Sequence, residues 1–192
     1  MSRFASERRR RRRAYPGDRH AVAIPMEMFQ LVDRNGNPVG TASREECHGN
    51  PLLIHLVVHL HVFDAQGRLY LQKRSMRKDT NPGLWDTSVG GHVSAGEDVA
   101  AALVREAREE LAIDAAGAKF LHALLNEGTF ESEYAQCFSL TWPGEIHPDA
   151  DEIEEGRFFS PAEVASLIGT GTLTPLFELE WPMLVRALGT GG

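Results

Sequence analysis

Three glutamates recur at a helical spacing and are the clearest candidates for chemistry in the chain. At about 100° per residue, Glu106, Glu109 and Glu110 share one stripe of a predicted helix that runs from about Asp98 to Leu111. Three carboxylates at this spacing repel one another unless a positive charge offsets them. Carboxylate oxygens suit Mg²⁺ or Mn²⁺, and Mg²⁺ commonly binds one or two carboxylates together with substrate phosphates. The stripe is therefore either a metal site for phosphate chemistry or a solvated acidic face.

The rest of this helix is compatible with both interpretations. Beside the carboxylates lies an apolar stripe that can pack on a sheet, formed by Ala100, Val104, Ala107 and Leu111. Arg105 and Arg108 lie on other faces, from which they could stabilise a purely solvated acidic face. The helix alone favours the solvated face, so the case for a metal site depends on residues outside it.

The elements that must position this helix fit one domain of ordinary composition. The chain has 192 residues, of which 42% are hydrophobic and 24% charged, enough for a core without disulfides or a structural metal. No run of about 18 apolar residues occurs, so we expect neither a transmembrane helix nor a membrane partner. We expect residues 1–25 to be a basic, disordered tail and residues 26–192 to be a single domain.

The charge is unevenly distributed. Residues 1–19 carry a net charge of +6, and the remainder carries −13. An acidic body argues against a general nucleic-acid-binding surface, but it can accept anionic substrates if metal ions neutralise part of the charge. The block Arg8–Arg13 is typical of a solvated tail, and contact with nucleic acid or an acidic partner is the less favoured alternative.

Cysteine content indicates the compartment. Cys47 and Cys137 form no local motif, and no apolar signal segment follows the early arginines, so we expect a reducing cytoplasm. A disulfide between the two cysteines stays open as the less favoured alternative.

Alternating and helical patterns predict a mixed sheet with helices on both sides. An Asn35–Gly36 turn predicts the first hairpin, and Ser160 to Glu163 form a capping box with Pro161 at the first helical position. The glycine pair Gly90–Gly91 comes next, and we expect a loop from there to Gly96. The predicted strands are 28–32, 39–43, 53–63, 68–73, 120–125, 134–142 and 155–159, and the predicted helices are about 98–111, 160–169 and 175–188.

The wider spacing around the glutamates resembles the Nudix box. In that box a Gly is followed after five residues by Glu, and after seven more by Arg-Glu, an apolar residue, any residue and Glu-Glu. The fixed positions are matched by Gly91, Glu97, Arg105, Glu106, Glu109 and Glu110, and the apolar places by Ala107 and Ile113. Six such matches arise by chance in a chain of this length with a probability on the order of 10⁻⁵. Ala112 departs from the usual Gly, which concerns the turn after the helix and leaves the carboxylates undisturbed.

This resemblance implies a Nudix-type α/β/α sandwich (an α+β fold) with a mixed β-sheet and a loop-helix-loop catalytic motif. It implies a hydrolase that cleaves a small-molecule diphosphate linked to another moiety, with Mg²⁺ or Mn²⁺ as cofactor. Glu106, Glu109 and Glu110 would hold metal, together with Glu97, and Arg105 would orient a neighbouring glutamate by a salt bridge. Either Glu109 or Glu110 would accept the proton of the attacking water.

The segment from about His48 to Tyr134 is also similar to isopentenyl-diphosphate isomerase, a Nudix relative that binds a metal through three His and two Glu. The residues that match this ligand set, and would form a second metal site, are His48, His55, His92, Glu131 and Glu133. Arg74 and Lys78 match basic residues that bind the diphosphate, and residues 85–92 resemble the isomerase signature. Gly91 in this segment is a candidate substrate-binding residue. Individually, these histidines could also be ordinary packed or surface residues.

Two departures argue against an isomerase. The isomerase needs a catalytic Cys two residues before the third His, and Gly90 stands there. Glu106 stands where the isomerase has Arg. The sequence therefore favours an isomerase-like Nudix hydrolase; an isomerase and a non-catalytic nucleotide- or protein-binding module are the alternatives.

Other features have mainly structural interpretations. Trp85, Trp142 and Trp181 are expected in the core or in pocket walls. The acidic stretch 151–155 resembles a segment that brings a glutamate near the metals in many Nudix enzymes, so Glu152 is a candidate substrate-site residue. It fits a solvated turn equally well.

Overall fold

The computed structural model describes residues 26–189, which form nine strands and four helices. The predicted tail, with Arg8–Arg13, lies outside the described residues. The strands are β1 (Met28–Val32), β2 (Pro38–Ser43), β3 (Ile54–Phe63), β4 (Leu69–Arg74), β5 (Trp85–Asp86), β6 (Val89–His92), β7 (Lys119–Glu127), β8 (Ser132–Thr141) and β9 (Ile153–Phe159). The helices are α1 (Arg44–Cys47), α2 (Val99–Leu111), α3 (Pro161–Leu167) and α4 (Pro175–Ala187). Within residues 26–189, no helix has the length and apolar composition needed to cross a membrane.

Strand β3 is the centre of one mixed sheet. It runs parallel to β8 along its whole length and antiparallel to β6, with single antiparallel pairings to β1 and β4 near its two ends. Strands β2, β5, β7 and β9 extend the sheet by antiparallel pairing. This arrangement confirms the predicted mixed sheet.

The two faces of β3 pack against different helices, because side chains alternate along a strand. Even-numbered residues from Leu56 to Val62 join the large core cluster that includes Leu103 and Leu111 of α2. On the opposite face, Glu180 of α4 contacts His59. Helix α4 also contributes to a second core cluster, with Leu69, Leu71, Phe159, Val164, Leu173, Phe177 and Leu184. Helices thus lie on both sides of the sheet, as the α/β/α prediction required.

The buried face of α2 differs in part from the prediction. Ala107 and Leu111 are buried as expected, but Ala100 is exposed and Val104 is only half-buried. Ala102 and Leu103 are buried instead. The buried face of α2 is therefore shifted toward the glutamate stripe and includes Glu110.

The glycine pair lies in a strand that the sequence did not predict, and the predicted loop follows it. Residues Val89–His92 pair with β3 in the register His59↔Gly90 and Val58↔Gly91. Glycine has low strand propensity, so the sequence pattern gave no signal for β6, and pairing with the central strand overrides that propensity. The short helix α1 was also missed; its Ser43 capping box supports only four residues.

Other local predictions hold, and both cysteines are free thiols. Gly36 has φ 82° in the first hairpin turn, and Ser160 and Glu163 form the predicted capping box with Pro161 in the first turn. Trp142 packs against the large core cluster, whereas Trp85 and Trp181 pack against the second cluster. Cys47 and Cys137 are both buried.

Ala112 ends α2 in the left-handed conformation, with φ 56° and ψ 33°. For a residue other than glycine this conformation costs about 1–2 kcal/mol. Glycine avoids this cost, but its greater conformational freedom in the unfolded state offsets part of the gain in stability. We expect Ala112→Gly to raise the free energy of unfolding by about 0.5–1 kcal/mol in urea titrations. The control is Ala101→Gly at an exposed position inside α2, which should lower it by about 1 kcal/mol. Equal destabilisation by both substitutions would contradict this account.

Candidate active site

Arg105 connects the glutamates of the box into one charged network. Its Nε and Nη2 donate to the two oxygens of Glu97, each at 2.9 Å. Its Nη1 donates to Glu106 at 2.7 Å and to Glu109 at 3.2 Å, and Nη2 also donates to the carbonyl of His92 at 3.0 Å. The predicted orienting role of Arg105 is therefore a geometric feature of the fold. Glu97 accepts from Arg105 and from the Ser94 amide, so its direct contact with a metal stays a prediction.

The environment of Glu106 and Glu110 disfavours the charged form of their carboxyl groups. Burial is the main cause that raises the pKa of Glu106, and burial with the neighbouring Glu106 raises the pKa of Glu110 to about 8. Gln72 Nε2 donates to Glu110 at 2.9 Å and fixes the orientation of its carboxyl group. The side chain of Glu109, by contrast, is 60% exposed. Two close, buried carboxylates would be stabilised in the charged state by a divalent cation, so this stripe fits the predicted metal.

Gly91 makes close approach to the stripe possible. A Cβ atom at this position would overlap the carboxyl group of Glu106. The sequence placed Gly91 among the substrate-binding residues; the structure gives it a clear steric role beside Glu106. Any side chain at position 91 would displace this glutamate.

A cavity of about 850 Å³ brings most of the predicted site residues together. Its basic side comes from the end of β4 and the loop that follows. Arg74 Nη1 donates to Asp86 at 3.1 Å, and Lys78 pairs with Glu152. Burial lowers the pKa of Lys78. The predicted residues that line the cavity are Arg74, Lys78, Gly91, Arg105, Glu106, Glu109, Glu110, His48, His92, Glu131, Glu133 and Glu152.

The three histidines of the predicted second site form a compact cluster. Each of His48, His55 and His92 offers a ring nitrogen, and these atoms lie within 4.8 Å of one another. His48 Nε2 lies 3.4 Å from Glu131, and His55 Nε2 lies 3.8 Å from Glu133. The structure thus assembles all five residues, although His55 lies behind the cavity wall and is fully buried.

Three ring nitrogens of this cluster make no hydrogen bond. Buried and unpartnered atoms include His48 Nε2 and both ring nitrogens of His55. Burial lowers the pKa of His55 to about 4, so its imidazole is neutral at pH 7, the form that ligates metals. Burial also raises the pKa of Glu133 to about 7. Buried imidazole nitrogens without a hydrogen-bond partner or a ligand lower the stability of the folded protein. The set of imidazole and carboxylate donors fits a divalent transition metal.

A further buried network was missed by sequence reasoning. The carboxylate of Glu180 accepts from His59 Nδ1 and from His61 Nε2, both at 3.0 Å, and it is fully buried. His59, Cys137 and Glu180 each offer a ligand atom within 4.8 Å of the others. One signal could have revealed Glu180, because it lies three residues after Phe177 and four before Leu184, on the apolar stripe of α4.

Comparison with known proteins identifies the class. Residues 53–177 match the NUDIX domain family, so the chain is a member of the Nudix family. Within that family it is similar to isopentenyl-diphosphate Delta-isomerases and belongs to an isomerase-like branch. The protein so named from Leifsonia xyli subsp. xyli is 31% identical over 86% of this chain and 95% of its own. That of Streptomyces avermitilis is 34% identical over 72% of this chain and 73% of its own.

Solved structures show the same fold. The DR0079 protein of Deinococcus radiodurans is 28% identical, with a TM-score of 0.67 over 80% of this chain and 96% of its own. The MutT protein of Methanosarcina mazei Go1 has a TM-score of 0.60 over 68% of this chain and 92% of its own, at 23% identity. These comparisons confirm the predicted Nudix fold.

Proposed function

We propose that this chain is a divalent-metal-dependent pyrophosphohydrolase that cleaves a diphosphate linked to another moiety. The single observation that carries the proposal is the complete carboxylate stripe of α2, braced by Arg105 and open to the cavity. Relatives named as isomerases share the family, but they do not decide which reaction this chain performs.

The glutamates of the box would bind the metal and activate water. Glu106, Glu109 and Glu110 would hold Mg²⁺ or Mn²⁺, with Glu97 in support through Arg105. The cation supplies charge neutralisation at the diphosphate and a more acidic bound water. Glu109 or Glu110 accepts the proton of the attacking water. Gln72 holds Glu110 in one orientation, which makes Glu110 the better positioned of the two.

The basic side of the cavity would bind the diphosphate. Arg74 is fixed by Asp86 and by the carbonyl of Thr80, so its guanidinium is preorganised. Lys78 is paired with Glu152 and would exchange this partner for a phosphate oxygen. An arginine held in a fixed geometry is well suited to recognise phosphate.

An isomerase is the second candidate, and the histidine cluster favours it. All five residues of the isomerase-type metal site are present and adjacent. Gly90 argues against it, because it provides no thiol for proton transfer at carbon. A Cβ at Gly90 would meet its nearest neighbours at 3.6 Å, an ordinary contact distance. The backbone at this position therefore accepts a Cβ without a clash, so glycine is not required there by close contact with the Cβ position.

Hydrolysis should depend on added metal. We expect hydrolysis of some members of a panel of nucleoside triphosphates, nucleotide sugars, dinucleotides and prenyl diphosphates with Mg²⁺ or Mn²⁺, followed by chromatography of the phosphorylated products. A chelator should abolish it, because without the cation nothing neutralises the diphosphate or makes the attacking water more acidic. Proton exchange and isomerisation of isopentenyl diphosphate, followed by NMR in D₂O, should be undetectable. Isomerisation without hydrolysis would replace this proposal by the isomerase.

A further inference from the structure

We propose that His59, held from behind by Glu180, is a substrate-recognition residue whose Nε2 donates a hydrogen bond to an oxygen of the moiety attached to the diphosphate. The proposal rests on the hydrolase function above and adds a specificity determinant to it. It predicts that the attached moiety is hydroxyl-bearing rather than a hydrocarbon.

The position of His59 in the sheet is the first argument. In the ladder of β3, His59 lies opposite Gly90 on one side and Cys137 on the other. Gly90 has no side chain to cover the imidazole, and the place of its absent Cβ is 3.6 Å from His59 Nε2. Both His59 and Gly90 line the cavity. The histidine therefore reaches the cavity through the space that the glycine leaves.

The direction of the imidazole is the second argument. Its Nδ1 donates to Glu180, so Nε2, on the other side of the ring, faces the cavity. His61 makes the same kind of bond to the other oxygen of Glu180, but its second nitrogen contacts Thr87 Oγ1 at 3.2 Å. His61 does not line the cavity. Of these two histidines, only His59 can donate to a bound molecule.

The charge of the network is the third argument. The carboxylate of Glu180 raises the pKa of His59 to about 9 against the effect of burial, with smaller contributions from Asp86 and Glu133. His59 is thus an imidazolium at neutral pH, and both its nitrogens are donors. The network is complete without a metal, because both oxygens of Glu180 are already used and burial raises the pKa of Cys137, which keeps it a thiol.

Such a donor discriminates between attached moieties. A hydroxyl or ring oxygen would accept from Nε2, whereas a hydrocarbon would displace water and leave a nearly buried charged donor unpaired. Sites built to hydrogen-bond a substrate reject analogues without the partner far more strongly than apolar pockets reject an extra methylene. The face of β3 that carries His59 is opposite to the one packed on α2, which separates this contact from the carboxylate stripe.

The test compares substrates across matched variants. With Mg²⁺, we expect the wild type to favour ADP-ribose over isopentenyl diphosphate in kcat/KM by at least about 100-fold. His59→Leu should lower kcat/KM for ADP-ribose by roughly 10- to 100-fold and leave that for isopentenyl diphosphate and methyl diphosphate nearly unchanged. His61→Leu, which also removes a bond to Glu180, should preserve the preference. If His59→Leu does not fold, His59→Gln replaces it, with an expected loss of about 10-fold.

A binding measurement separates this inference from the proposed function. Calorimetry with ribose 5-phosphate and isopentenyl monophosphate should show the same dependence on His59 without any turnover. If the wild type hydrolyses no diphosphate, the proposed function fails while calorimetry still judges the role of His59. Equal losses for all ligands in His59→Leu, or equal losses in His61→Leu, would overturn the inference. So would loss of bound metal from purified His59→Leu, because His59 would then be a ligand.

Discussion

Glu110→Gln should reduce metal-dependent hydrolysis by about 10²- to 10⁴-fold, the range expected when a general base or a metal-binding carboxylate is removed. The substitution keeps the shape of the side chain and its contact with Gln72. It removes a negative charge that is buried beside Glu106 and must be compensated by a cation in the active enzyme. The measurement is kcat/KM for the best substrate of the panel, at saturating Mg²⁺.

Two glutamine variants make this result interpretable. Glu109→Gln should have a smaller effect, because its side chain is largely exposed and its charge is screened by solvent. Glu155→Gln, at an exposed position of β9, should have none. A larger loss in Glu109→Gln than in Glu110→Gln would transfer the role of proton acceptor to Glu109. Full activity in both would remove the carboxylate stripe from the mechanism.

Glu180→Gln should lower the free energy of unfolding by about 3–5 kcal/mol, the usual cost of removing one partner from a buried ion pair. Both of its oxygens accept from histidines at 3.0 Å, and no part of the side chain is exposed. The neutral amide accepts only through its oxygen and presents an NH2 donor in place of the second oxygen, so one histidine loses its acceptor. Urea unfolding measures the effect, with Glu155→Gln as the control for removal of an exposed charge.

The same variant should change the dependence of stability on pH. The pKa of His59 is about 9 in the folded protein and near 6.5 when unfolded, so the folded state binds more protons between these values. This contribution to stability is fully present below pH 6.5 and is lost as the pH rises through 9. Wild-type stability should therefore fall from pH 6.5 to 9.5, and Glu180→Gln should show a smaller fall. Identical slopes in both proteins would show that Glu180 does not hold the charge of His59.

Local patterns predicted much of the fold, because their physical causes are local. The Asn35–Gly36 turn, the capping box at Ser160 and the strand Met28–Val32 all lie where the sequence placed them. The buried face of α2 was predicted only in part, because the apolar periodicity gave no reason to expect a glutamate, Glu110, on that face. Strand β6 was missed because pairing with β3, rather than the propensity of two glycines, stabilises it.

The sequence by itself determined the chemical composition of the site. The period of one helix places Glu106, Glu109 and Glu110 on one stripe. Their interpretation as a metal site, and the orienting role of Arg105, came from the resemblance of the spacing between Gly91 and Glu110 to the Nudix box. The sequence also identified Gly90 as the departure from the isomerase pattern, since a missing thiol is a property of the residue type.

Only the tertiary structure decided how distant residues meet. The pairing of β3 with β6 and β8 brings His55, His92 and Glu133 together, and no local period encodes that distance. Helix α4 places Glu180 behind His59 from a position 121 residues further along the chain. Burial then sets the charges of these groups, because the free energy of ionisation depends on the surrounding solvent and neighbours rather than on residue type.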